Sequence, residues 1–415
     1  MVGITGYGII CATGYGKQSF ANALLQGRSG LSKKVLIPPL TLENSRIGGW
    51  LKDFSIDAIL NAYPNVPAEW STKAKKSLAR APLSVQTSVV AALEAWDQAQ
   101  LFQHRGKMGV VVGGNNIDQD YQYQSFLSFQ KEPSYLSPSY ALNFLDTNHV
   151  GMLSDLFGIR GVGFTVGGAT ASSNVAIIEG YRQVKHGIVD ICLVVGALSD
   201  LSPVETLALH TIGALGGHHY LDAPEKACRP FDRDHEGFIF GQGCGCLILE
   251  NLESAKKRKA PILGQILGVA MALDGNRFTN PTQEGEARAM REAIADAGLK
   301  ASDIDYINAH GTSAPLGDET EVLAIKEVFG PHVKDVWINS TKSITGHCFM
   351  AAGAVEAVAT LIQMKDNFVH PTLNLDNPID AECRFVLTKA EKAQVRYALS
   401  NSFGFGGINT SIVLG

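Results

Sequence analysis

Two histidines and a lysine sit on glycine-containing turns. His310 lies in "NAHGTSAPLGDETE", and Lys342 and His347 lie in "NSTKSITGHCFMAAGAVE". A neutral imidazole donates one hydrogen bond, so two that converge on one carbonyl oxygen can stabilise an enolate or oxyanion without entering a bond themselves. A backbone N–H at a helix start adds partial positive charge. One histidine at a strand end is more often structural; the pair, with a lysine five residues before His347, points to chemistry. Zinc would ask for three or four ligands at characteristic spacing, and neither histidine has them nearby, so no metal is expected. A third turn poses a different problem. "GFTVGGATASSNV" (163–175) runs from an apolar strand through two glycines into a helix, the geometry that presents a nucleophile, yet the residue at the turn is Thr170. No GxSxG surrounds it, and Ser172 and Ser173 read as capping residues of the next helix. "GYGKQS" lacks the spacing of a phosphate loop. A fourth turn, "NSFGFGGIN" (401–409), offers glycines and Phe405 between two strands.

The elements that position these turns alternate. A helical pattern at 84–100 is followed by a strand at 108–114. The helix "NVAIIEGYRQVKHG" ends at Gly187, and "DICLVVGA" is a nearly continuous apolar strand, as expected when both faces are covered. Later, "ILGQILGVAMALDG" reads as a strand pair element and 284–300 as an amphipathic helix. "IDYINAHGT" and "VWINSTKS" are strands, "AAGAVEAVATLIQMK" is a small-residue helix, and the chain closes on a hairpin. This order implies a layered α/β architecture. Its recurrence predicts two related halves around a shared cleft: 1–250, with the Thr170 turn, and 251–415, with His310, Lys342 and His347.

Composition bounds the function. The 415 residues are 45% hydrophobic and 18% charged, an ordinary globular balance. Net charge is −5, and the short basic runs at 33–36 and 256–259 read as solvated loops or helix ends, which argues against nucleic-acid binding. The first ten residues read as strand and turn rather than signal peptide, and no apolar run approaches the roughly 20 residues that span a bilayer. Seven cysteines without CxxC pairs read as buried, reduced thiols of a cytoplasmic protein.

Together the turns resemble the β-ketoacyl-ACP synthase family, along essentially the whole chain. The histidine motifs, "NSFGFGGINTSIVL" and "CRPFDRDHEGFIFGQGCGCLILENLESAKKR" are each close to a family motif, in the family's order. The resemblance implies a thiolase-like fold of five αβαβα layers. It also implies a division of labour: a cysteine takes an acyl group, and two histidines near a lysine promote decarboxylation of a malonyl thioester. "FTVGGATASSNVAI" places Thr170 where that cysteine stands in the family, with Gly167, Gly168 and Ala171 as further departures. Ala314 replaces a threonine that binds the pantetheine arm, while Thr312 remains; Gln242 replaces a glutamate. A threonine hydroxyl ionises far above the roughly 8.5 of a free thiol, so the covalent steps lose their platform. The decarboxylation half keeps His310, His347, Lys342 and the oxyanion positions at Thr170 and Phe405.

The chain is therefore expected to resemble the free-standing decarboxylating synthases of polyketide β-branching cassettes, turning malonyl-ACP into acetyl-ACP. The resemblance implies an acyl carrier protein as partner and no cofactor beyond the phosphopantetheine that the carrier brings. It further implies a homodimer and a hydroxymethylglutaryl-synthase-like partner in the pathway. Two alternatives stay open: a non-catalytic partner like the chain-length factors, and a slow condensing enzyme using Thr170.

Overall fold

The apolar runs become the strands of one mixed sheet made of two sets of five; the computed structural model describes residues 1–34, 42–104 and 106–415. The first set comprises β1 (Val2–Cys11), β2 (Met108–Gly113), β3 (Gly163–Val166), β4 (Ile191–Gly196) and β5 (Gly243–Asn251). The second comprises β6 (Gly264–Leu273), β7 (Tyr306–Asn308), β8 (Trp337–Asn339), β9 (Ala398–Gly404) and β10 (Ile408–Leu414). A two-residue strand, Gly14–Tyr15, folds back on the end of β1. Across the first set the order is β3-β2-β4-β5-β1, and across the second β8-β7-β9-β10-β6. The strand directions also correspond. β2 is parallel to β3 and β4, and β5 is antiparallel to β4 and β1. Likewise β7 is parallel to β8 and β9, and β10 is antiparallel to β9 and β6. The two sets meet where the first residues of β1 pair with β6, from Val2–Ile266 to Ile4–Gly264.

Five helices complete the layers: α1 (Leu83–Gln98), α2 (Ser172–Lys185), α3 (Gln283–Asp296), α4 (Pro315–Phe329) and α5 (Ala352–Asp366). α1 covers β1 and β5, while α3, backed by α4, covers β6 and β10. α2 and α5 pack on each other and touch strands of both sets. A helix covered on all sides cannot be amphipathic, which is why every residue of α5 from Ala352 to Gln363 is buried. Its small residues permit the close approach: a Cβ on Gly353 would lie 2.3 Å from the Asn174 Oδ1 of α2. The expected αβαβα stack is thus present, and it brings the starts of α2 and α5 together at its centre.

Local expectations fared unevenly. Gly187 does terminate α2: at φ 68 it donates to the Val184 carbonyl, and Ile188 donates to that of Gln183, the paired bonds of a Schellman end. The stretch 262–275 holds one continuous strand, Gly264–Leu273, rather than a strand pair, because its Gly268 serves no turn; it lets α3 approach, and a Cβ there would sit 2.3 Å from the Ala293 carbonyl oxygen. The helix expected over 284–300 stops at Asp296, ahead of Gly298 at φ 69. Neither Ser172 nor Ser173 caps α2. Ser172 Oγ accepts from the Gly168 N–H and donates to the Ala169 carbonyl, and Ser173 Oγ accepts from the Ala354 N–H of α5. In the basic run 256–259, Arg258 is no solvated end; it is clamped on the buried carboxylate of Glu250. Of the run 33–36, Val35 and Leu36 lie outside the described residues. All seven cysteines are free and buried, and no helix among the described residues is long and apolar enough to cross a membrane.

Candidate active site

β7 ends at Asn308, and the chain must turn sharply before Pro315 opens α4. Two carboxylates of α4 hold that turn. Glu321 accepts from the His310 N–H (2.8 Å) and the Gly311 N–H (2.7 Å). Asp318 accepts from the Thr312 N–H (2.9 Å) and the Ser313 N–H (3.1 Å). Four consecutive backbone donors are thereby satisfied without sheet or helix, as buried N–H groups require. Burial pushes Glu321 up to about 7, against the pull of its backbone donors.

Lys342 follows β8 and is 1% exposed. An ammonium carries three protons, and three acceptors surround this one: the Glu356 carboxylate on α5, the His310 carbonyl oxygen, and His310 Nδ1 at 3.5 Å. His347 is anchored by its own N–H to the Ile239 carbonyl (2.6 Å), and its Nδ1 accepts from the Phe349 N–H (3.3 Å). Both imidazoles therefore use Nδ1 as acceptor, which leaves the proton of each neutral ring on Nε2. Desolvation, then the charge of Lys342, pushes His310 and His347 well below the usual histidine range; His347 adds to the effect on His310. The ring centroids are 5.6 Å apart with planes at 84°, so two N–H donors meet at an angle instead of stacking.

Thr170 sits in a 3-10 turn, Ala169–Ala171, between β3 and α2. Its hydroxyl donates to the Phe403 carbonyl at 2.6 Å, and its bonds include none to an imidazole. A hydroxyl whose proton is held by a carbonyl, with no base to take it, is not an activated nucleophile. Phe405 stands on the β9–β10 turn, 40% exposed. Thr312 is buried, and its Oγ1 accepts from the Ala314 N–H (3.3 Å).

A cavity of about 380 Å³ gathers these groups: Thr170, His310, Thr312, His347 and Phe405 all line it. Lys342 stands behind His310, off the wall. The structure thus brings the six candidate site residues together, five as lining and Lys342 behind them, whereas Gln242 lies off the cavity and accepts from the Leu51 N–H. Five carboxylates of the site carried no signal picked out in the sequence. Asp318, Glu321 and Glu356 lie inside the same motifs and act as anchors. The other two, Asp274 and, from α3, Glu286, line the cavity itself; Glu286 is 1% exposed, and its Oε2 has no hydrogen-bond partner.

Comparison with known proteins agrees in family. Residues 1–255 match the N-terminal domain of β-ketoacyl synthases and residues 263–376 the C-terminal domain. The polyketide biosynthesis malonyl-ACP decarboxylase PksF of Bacillus subtilis is 40% identical over 413 residues, covering 99% of this chain and 95% of that one. The 3-oxoacyl-[acyl-carrier-protein] synthase 2 of Coxiella burnetii is 32% identical over 420 residues, covering 99% and 97%. Among solved structures, the ishigamide ketosynthase/chain length factor superposes with a TM-score of 0.87 at 28% identity, covering 100% of this chain and 98% of that one.

Proposed function

The chain belongs to the β-ketoacyl synthase family, and from that premise we propose that it decarboxylates a malonyl thioester on an acyl carrier protein, releasing acetyl-ACP for polyketide assembly. One observation carries the reading: the histidine pair is complete, neutral and backed by Lys342, while the hydroxyl at the nucleophile turn is tied to Phe403. The PksF relative, named a malonyl-ACP decarboxylase, supports it.

The carrier's pantetheine arm enters past Thr312 and Ala314, and the thioester carbonyl oxygen takes the two Nε2–H bonds. The bond from the α-carbon to the carboxylate breaks, its electrons form the enolate, and CO2 leaves. Negative charge grows on the oxygen that the imidazoles already face, so their bonds strengthen toward the transition state. Neutral rings suit this task, because a proton already on Nδ1 would disrupt the support from Lys342 and Phe349. The main-chain N–H groups of Thr170 and Phe405 are the further donors we assign to the oxyanion. No acyl-enzyme forms.

Two further parts of the reading concern assembly. β3 ends the sheet and is its least buried strand, and Phe126, Phe129, Tyr135, Leu142 and Phe144 are exposed, which supports a homodimer. A hydroxymethylglutaryl-synthase-like enzyme is the kind of partner that would consume acetyl-ACP. The likeness to a ketosynthase/chain length factor favours a second reading, a non-catalytic subunit, in which case the protein leaves malonyl-ACP intact and co-purifies with a cysteine-bearing synthase.

The test is the mass of the carrier after incubation with malonyl-ACP. Acetyl-ACP should accumulate, and His310→Ala or His347→Ala should each slow it by about 100- to 1,000-fold, the usual effect of losing one oxyanion donor. An unchanged malonyl-ACP signal with the native protein overturns the reading.

A further inference from the structure

Decarboxylation leaves an enolate that needs a proton at carbon, a step with no counterpart where the enolate attacks an acyl group. The cavity wall must supply an acid, and most of its protons are already committed. The Nε2–H of each histidine faces the thioester oxygen in the mechanism above, and the Thr170 O–H is held by Phe403. Asn409 donates to Asp274 Oδ1, which also receives the Thr282 hydroxyl. Threonine hydroxyls are in any case too weak as acids for efficient transfer near neutral pH.

Two carboxyls on the wall keep a buried oxygen without a partner, Asp274 at Oδ2 and Glu286 at Oε2; Asp274 already takes two donors on its other oxygen, which leaves Glu286 as the better candidate. It projects from the first turn of α3 and lines the cavity that holds both histidines. It is 1% exposed, and its Oε2 is buried without any hydrogen-bond partner. Among the described residues, no cation is among the charges that act on it. The ionisable groups that face it are Glu321 and Asp318 from α4 and Asp274 from the end of β6, all carboxylates. We propose that Glu286 is the general acid that protonates the α-carbon of the enolate; the inference rests on the decarboxylase reading above.

Burial, then the charges of Glu321, Asp274 and Asp318, push this carboxyl well above the usual range, the direction that favours the protonated form a general acid needs. The step balances simply. The carboxyl O–H breaks, its proton forms the third C–H bond of the acetyl group, and the enolate electron pair forms that bond as the thioester carbonyl is restored. The resulting carboxylate takes a proton from water before the next turnover, so each cycle consumes one proton and releases one CO2.

The experiment compares native protein, Glu286→Gln and Glu286→Asp on malonyl-ACP across pH, reading CO2 and acetyl-ACP. Native protein should lose activity on the alkaline side as Glu286 ionises. Glu286→Gln should form acetyl-ACP about 100-fold more slowly or worse, at an unchanged KM, and lose that alkaline limb. Glu286→Asp should retain the limb and recover part of the rate. If native protein releases CO2 and the Gln variant stays within about threefold with the same limb, or the Asp variant loses the limb, the acid assignment falls alone. If native protein releases no CO2, the decarboxylase reading falls and takes this inference with it.

Discussion

The turn Ala169–Ala171 opens α2, and the turn Phe349–Ala351 opens α5. Both are single 3-10 turns that begin on a residue in the left-handed region, at φ 48 for Ala169 and φ 49 for Phe349. Holding a non-glycine residue there stores on the order of 1–3 kcal/mol. Both turns close with a bond to the residue three back, Ala171 to Gly168 at 2.9 Å and Ala351 to Cys348 at 3.1 Å. The chemistry hung on this shared backbone differs. At the second turn, the strained Phe349 aims its N–H at His347 Nδ1 and so fixes the imidazole tautomer. At the first, the same shape presents a hydroxyl that only bridges to Phe403. An elbow can therefore outlast its nucleophile because it also packs: the two turns touch, and Ser173 receives the Ala354 N–H across them.

The sharpest way to break this contrast is to remove the charge behind the second turn. Lys342→Met leaves Glu356 buried without its cation, and losing one partner of a buried pair typically costs about 3–5 kcal/mol. Urea unfolding should register that loss, and decarboxylation should fall with it because His310 loses the donor at Nδ1. A variant as stable as the native chain would show that the ammonium is not what holds the site.

The histidine turns were legible in sequence because glycine at a strand end is a local signal. The carboxylates that hold them were not. Asp318 and Glu321 lie within one turn of each other on α4 and look like the polar face of any helix, until the loop before them folds back onto their oxygens. Glu286 did leave a trace: it shares a helix face with Ala289, Met290 and Ala293, all buried, where a glutamate is out of place. The Thr170–Phe403 bond spans 233 positions and left none. Strand order shows the same limit. Alternating elements suggested a layered α/β fold, but the seam of β1 with β6 depends on long-range pairing that periodicity does not encode.

A pH series sharpens the comparison next. An imidazole of ordinary pKa near 6.5 would be about nine-tenths protonated at pH 5.5, a roughly tenfold loss of a neutral donor. Because both active-site rings lie well below that range, the acid limb of decarboxylation should fall below pH 5.5. Stability should behave differently. The depressed rings bind fewer protons folded than unfolded, so their contribution is present above about 6.5 and declines as pH drops. Glu321 works in the opposite sense: raised to about 7, it favours the fold at low pH and loses that contribution as pH rises through about 7. Rate and unfolding midpoints measured on the same samples separate these effects, and an acid limb near 6.5 would contradict the neutral-pair assignment.

The smallest change is the most informative about the first turn. Thr170→Val keeps the shape and removes the hydroxyl, leaving the Phe403 carbonyl without that donor; the expected loss is about 1 kcal/mol of stability. CO2 release should stay within about threefold, since nothing in the mechanism draws on the hydroxyl. A loss comparable to that of His347→Ala would instead make Thr170 a participant and return the slow condensing enzyme to consideration. Thr170→Cys asks the converse question of the same turn. The seven native cysteines are buried, so a thiol placed on the cavity wall should be the site that iodoacetamide labels. If it is labelled while decarboxylation persists, the elbow still presents its side chain to the cavity, and what separates the two turns is the side chain and its partners, not the backbone beneath them.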